Sequence, residues 1–139
     1  MDLRTAFALI EATLEEGRRC NARPLSVVVL DPGGHQIASA REDGAGFARL
    51  ALAQGKAWGS LGLGFGSRTL SERVTKAPEF FAAAASLLDG RLLPAPGGLL
   101  LRRNGELSGA LGVSGDTGDM DEACAIFAAS RLGLEYDDR

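Results

Sequence analysis

Histidine, lysine and cysteine are all scarce in this sequence, and each scarcity removes a class of chemistry. His35 is the single histidine, so a nucleophile–histidine–acid triad has one place to form. One histidine among scattered acids does not make a metal centre. Lysine occurs only as Lys56 and Lys76, which leaves the basic charge almost wholly to arginine. Cys20 and Cys124 lie far apart with no CxxC spacing, which argues against a zinc site or a redox pair and for two reduced thiols. No excess of positive charge calls for nucleic acid or an anionic membrane, because the net charge is −3. No apolar run reaches the roughly 20 residues that span a bilayer. The opening MDLRTAFALIEATLEEG is amphipathic and acidic, unlike a secretory signal, so a cytoplasmic protein is the default expectation. Two glycine-rich stretches also fail as motifs. GLGFG (62–66) follows a helical pattern and not a strand, and GVSG (112–115) lacks the G-x-S-x-G spacing.

The 139 residues suit one domain, expected over 1–139. Leu3, Ala6, Phe7, Ile10 and Leu14 recur at helical spacing, and the pattern predicts a first helix that stops near Gly17. LSVVVLD (25–31) reads as a strand buried on both faces, PGG (32–34) as a turn, and HQIASAR (35–41) as the return strand. Residues 46–64 form a helical pattern interrupted by Gly55 and Gly59, which lie on one face and admit either close packing or a ligand groove. Shorter helices follow at 67–76 and 77–90, with Pro78 tolerated in the first turn. LLLRRNGELSGALGVSG (99–115) is the clearest hairpin, its strands 99–103 and 107–113 joined at Asn104–Gly105. Asp119 and Glu122 have the spacing of a capping box, ahead of a last helix lined by Met120, Ala123, Cys124 and Phe127. Hairpins without βαβ units predict an α+β domain, an antiparallel sheet with helices packed on it.

Few residues carry obvious chemistry. Arg41 and Asp43, in REDG after a strand, offer a cation for an anionic group and an acceptor or cap. Lys56 sits between the faces of two glycines, where it could neutralise a carboxylate or, once desolvated, act as a base. PGG (96–98) and VSGD (113–116) expose backbone N–H groups of the kind that hold oxygen-rich ligands. Taken singly, each is equally a solvated charge or ordinary turn chemistry. Together they predict an anion pocket in which Lys56, Gly97, Gly98, Ser114 and Gly115 surround the ligand and Arg41 and Asp43 guard the mouth.

The ordered set VVVLDPGGHQIASAREDGA, LALAQGKAWGS, PAPGGLLL and GELSGALGVSGDTGDMDEACA resembles the GlcG/HbpS-like family, whose fold also forms the C-terminal domain of PduO-type proteins. The likeness spans roughly residues 6–130, and its most specific part is GALGVSG followed by the acidic helix start. It implies a five-stranded antiparallel sheet flanked by helices, PAS- or profilin-like in appearance, and homo-oligomers of two chains or more. The apolar helices, including the alanine-rich 80–88 stretch, point to self-association as well. The family implies a small-molecule-binding domain, with haem as the ligand in some members. The alternative is an enzyme or accessory protein acting on an oxygenated anionic catabolite through Arg41, Asp43 and Lys56. The positions that match the family's pattern are Asp31, Arg41, Asp43, Lys56, Gly97, Gly98, Gly112, Ser114 and Gly115. Trp58 departs from it, standing just after the Lys–Ala pair. Conventional axial ligands for haem are His35, Met120, Cys20, Cys124 and Tyr136, with His35 the axial candidate.

Overall fold

The computed structural model describes residues 1–137. Among them run α1 (Leu3–Arg19), β1 (Ser26–Leu30), β2 (Gln36–Arg41), α2 (Arg49–Leu63), α3 (Ser67–Lys76), α4 (Pro78–Leu87), β3 (Gly98–Arg103), β4 (Glu106–Ser114), α5 (Gly118–Arg131) and β5 (Glu135–Asp137). The strands form one antiparallel sheet in the order β2-β1-β4-β3-β5. This is the expected α+β architecture. Both predicted hairpins pair as read: β1 with β2 through the Pro32–Gly34 turn, and β3 with β4 through Asn104–Gly105.

Alternation along the buried strand β1 sorts the core into two layers. Val27 and Val29 face α1 and α5, joined there by Leu9, Leu99, Leu101, Leu111, Val113, Cys124 and Ala128. Val28 and Leu30 face α2, against Ala53 and Ala57, with Leu50, Trp58 and Leu61 at the border. A smaller cluster of Leu70, Phe81 and Leu92 holds α3 and α4 to the loop that precedes β3. Burial of each such leucine contributes about 2 kcal/mol, so the α1/α5 layer dominates stability.

Three local expectations are corrected. Helix α1 does not stop at Gly17 but continues to Arg19, because Gly17 gives room to the Leu25 side chain: a methyl group there would lie 2.6 Å from Leu25 Cδ1. Asp119 does not cap α5. Thr117 does, its Oγ1 accepting from the Met120 N–H at 3.2 Å, while Asp119 and Glu122 both turn to Arg68. The core face of α5 is Cys124, Ala125, Ala128 and Ala129, leaving Ala123 exposed. The fifth strand that the family resemblance implied is β5, which pairs with β3 at the edge of the sheet.

Candidate functional site

Helix α2 crosses the sheet at unusually close range, and glycine permits it. A methyl group at Gly112 would sit 2.0 Å from the Ala53 carbonyl oxygen, and one at Gly98 would sit 2.5 Å from that of Lys56. These two residues pair across β4 and β3, so one bare patch of sheet receives the helix backbone. At Gly97, where φ is +121°, the backbone conformation itself also favours glycine, and a side chain would meet Val113 O and Lys56 Nζ. The space beside Gly115 is taken by Pro24 O. The glycines of 97–98 and 112–115 therefore serve close approach, as their sequence suggested, but the neighbour that approaches is the protein's own backbone.

Lys56 emerges from the middle of α2 into this packed zone. Its ammonium donates to Val113 O at 2.8 Å and to Asp121 Oδ2 at 2.9 Å, and the Lys56 and Asp121 side chains are only 5% and 1% exposed. Asp121 Oδ1 accepts from the Asp116 N–H at 2.9 Å. Burial pulls the Lys56 ammonium below the usual lysine range and pushes the Asp121 carboxyl above that of an ordinary aspartate, while their mutual attraction opposes both shifts. Asp121 is the partner that sequence reasoning missed. The only signal for it was an acidic residue inside the first turn of a helix, where the dipole alone is reason enough. Next to this pair, Arg68 of α3 reaches Glu122 at 2.8 Å and also Asp119. Two ion-pair groups thus fasten the α2/α3 layer to the start of α5.

Arg41 and Asp43 lie at and beyond the end of β2 and are not brought to Lys56 by any bond. Arg41 does belong to a different constellation. Strand register puts Arg41, Ser26 and Ser114 opposite one another across β2, β1 and β4. The α2 side of that row is shown by Arg49, whose Nη1 donates to Ser114 Oγ at 3.4 Å.

His35 stands at the β1–β2 turn with its side chain 84% exposed. Asp31 Oδ1 accepts from the Gly33 and His35 N–H groups and lies 3.4 Å from His35 Nδ1. These backbone donors hold the Asp31 carboxyl below the ordinary range. A side chain at Gly34 would meet the Trp58 indole at 3.1 Å, so the turn and the indole adjoin. Trp58 borders two grooves. One, of about 330 Å³, runs between α2 and residues 90–93, and the Arg91 guanidinium lies 4.4 Å from the Trp58 ring centre. The other, of about 120 Å³, is lined by Pro32, Gly34, Leu61 and Gly62. Of the other axial ligands expected, Cys124 is buried and its thiol is pushed up to about 12. Cys20 bonds to Glu16, and Met120 and Tyr136 pack partly buried against the core.

Comparison with known proteins gives a consistent result. A family model described as haem degrading protein HbpS-like matches residues 1–130. Among solved structures, a PduOC:heme complex is 25% identical, covering 97% of this chain and 96% of its own at a TM-score of 0.88. A double mutant of Streptomyces reticuli HbpS is 28% identical, covering 96% and 87% at 0.82. Klebsiella pneumoniae protein ORFY, at 24% identity, 96% and 90% coverage and a TM-score of 0.87, shows the shared fold. No curated protein matches the chain.

Proposed function

This chain belongs to the HbpS-like family, and from that membership we propose that it is a small-molecule-binding domain whose ligand is haem, taken up on the face formed by His35 and Trp58. One observation supports the location: the turn that carries the single histidine adjoins the single tryptophan at a grooved surface. The donor set suits the group. With Nδ1 beside Asp31, the imidazole leaves Nε2 free to ligate, the arrangement in which a neighbouring carboxylate orients a metal-binding histidine. Trp58, Leu61 and Pro32 provide apolar surface, and Arg91 offers a cation suited to a carboxylate substituent. Bound haem would supply an iron centre for redox or oxygen chemistry. The protein's part is to present His35 in one orientation and shield one face from water. A catalytic trio of Arg41, Asp43 and Lys56 has less support, since the Lys56 ammonium is enclosed and already doubly bonded.

Titration with ferric haem tests this reading. It should produce a saturable Soret band and quench Trp58, the chain's one tryptophan emitter. His35→Ala should lose the band or shift it to that of a weaker ligand. An unchanged spectrum in that variant would remove His35 as the ligand.

A further inference from the structure

The row of Arg41, Ser26 and Ser114 under the first turn of α2 has no part in the haem reading. Arg49 and Trp58 are separated by about 13 Å along the helix axis. Four observations meet here. Ser26 is fully buried, and among the described residues its Oγ is the one buried side-chain oxygen or nitrogen without a hydrogen-bond partner. Such a hydroxyl is costly to leave unpaired, and native structures leave few. Register places it on the same face as Ser114, the face that Arg49 meets from above. Arg41 and Arg49 form no ion pair among the described residues, whereas Arg18 pairs with Glu42 and Arg19 with Glu16. Finally, α2 begins at Ala48 with no side-chain cap, so the positive end of a 15-residue helix is left without a side-chain acceptor.

We propose that this corner is a binding site for a small oxyanion, the carboxylate or phosphate group of a metabolite. Its oxygens would take donors from the Arg49 side chain, the Ser26 and Ser114 hydroxyls and the first-turn N–H groups of Leu50 and Ala51, with Arg41 at the rim; the Arg49 N–H is already held by Gly46 O. The Arg49–Ser114 bond is long, at 3.4 Å, so exchanging it for an anion sacrifices little. Asp116 and Glu42 are nearby carboxylates that would oppose an anion. Glu42 is occupied by Arg18 and the Leu25 N–H; Asp116 is occupied by the Arg23 and Thr117 N–H groups, which hold its carboxyl below the usual range with a smaller contribution from Arg49. The geometry asks for oxygen acceptors and an overall negative charge, and it makes no demand for a metal.

Amide NMR titrations of the full chain with succinate, inorganic phosphate and, at matched ionic strength, chloride decide the matter. Succinate or phosphate should move the Ser26, Leu50 and Ala51 signals saturably, and whichever of the two binds identifies the anion class. Arg49→Gln should weaken that binding about tenfold or more, the cost of removing a charged hydrogen-bond partner, while the exposed Arg103→Gln should not. Ser26→Ala should melt at or above the parent's temperature, since it deletes an unpaired hydroxyl, yet should weaken binding. Three results would overturn the proposal: shifts that chloride reproduces, equal affinity in Arg49→Gln, or a Ser26→Ala variant that melts well below its parent, which would mean that the hydroxyl is already satisfied within the protein.

Discussion

Replacing Lys56 by methionine is the sharpest probe of the packed zone between α2 and α5. Methionine keeps an unbranched apolar stem of similar length and removes the ammonium. Asp121 would keep the Asp116 N–H but lose the cation 2.9 Å away, at a position 1% exposed. Breaking a buried pair on one side costs roughly 3–5 kcal/mol. In a domain of this size each kcal/mol is worth about 3–5 °C, so the midpoint should fall by about 10–20 °C, measured at fixed protein concentration. Adding Asp121→Asn removes the stranded charge while leaving an oxygen for Asp116, and should restore more than half of the loss. The sign of the pH dependence follows from burial. Without Lys56, the folded-state pKa of Asp121 stands further above its unfolded value than in the parent, so the folded form holds the proton more tightly. The deficit is therefore full above that raised pKa and shrinks as pH falls through it, so the gap to the parent narrows on acidification toward the ordinary aspartate value of 3.8. A midpoint within about 3 °C of the parent at neutral pH would refute the reasoning, because a charge sealed from water cannot lose its partner so cheaply.

Two other outcomes test the packing. Gly112→Ala places a methyl group 2.0 Å from Ala53 O, a backbone atom that moves only with α2, so it should cost more than about 3 kcal/mol in chemical denaturation, and a loss under about 1 kcal/mol would mean that the helix rides higher on the sheet. With a thiol reagent such as DTNB, Cys20 should react slowly in the native protein, its thiol pushed up by the bond to Glu16, whereas Cys124, buried with its pKa pushed to about 12, should react only at the rate of unfolding, and prompt labelling of both would contradict the buried assignment.

The fold was largely legible because its signals are local. Asn104–Gly105 sets a hairpin, β-branched Val27–Val29 sets a buried strand, and Pro78 starts a helix. What misled was local too. Gly17 looks like a helix end until Leu25 fills its side, and the Asp119–Glu122 spacing looks like a cap until Arg68 draws both acids away. The candidate site was harder to read because its residues are joined by register and not by spacing. Lys56 was visible in the sequence, but its partner lies 65 positions on. Ser26 had no signal at all: a serine beginning a valine-rich strand is unremarkable until the strand pairs with β4 and its hydroxyl is left alone.

The order of the strands has a consequence for how the chain reaches this state. β1 lies between β2, its neighbour in sequence, and β4, which arrives only after three helices and β3. Likewise α1 packs on α5, the helix furthest from it along the chain, an arrangement fastened by Arg131 to Glu15. Neither β1 nor α1 can bury its apolar surface until a long segment has closed, and the entropy of that closure precedes any reward. The β1–β2 hairpin can form early but stays half-covered. The docking of β4 and α5 on the N-terminal half is the non-local step that this topology requires. Substitutions that weaken the contacts of β4 and α5 with β1 and α1 should therefore lower the refolding rate measured by stopped-flow dilution from denaturant, and an effect confined to the unfolding rate would place this docking after the barrier.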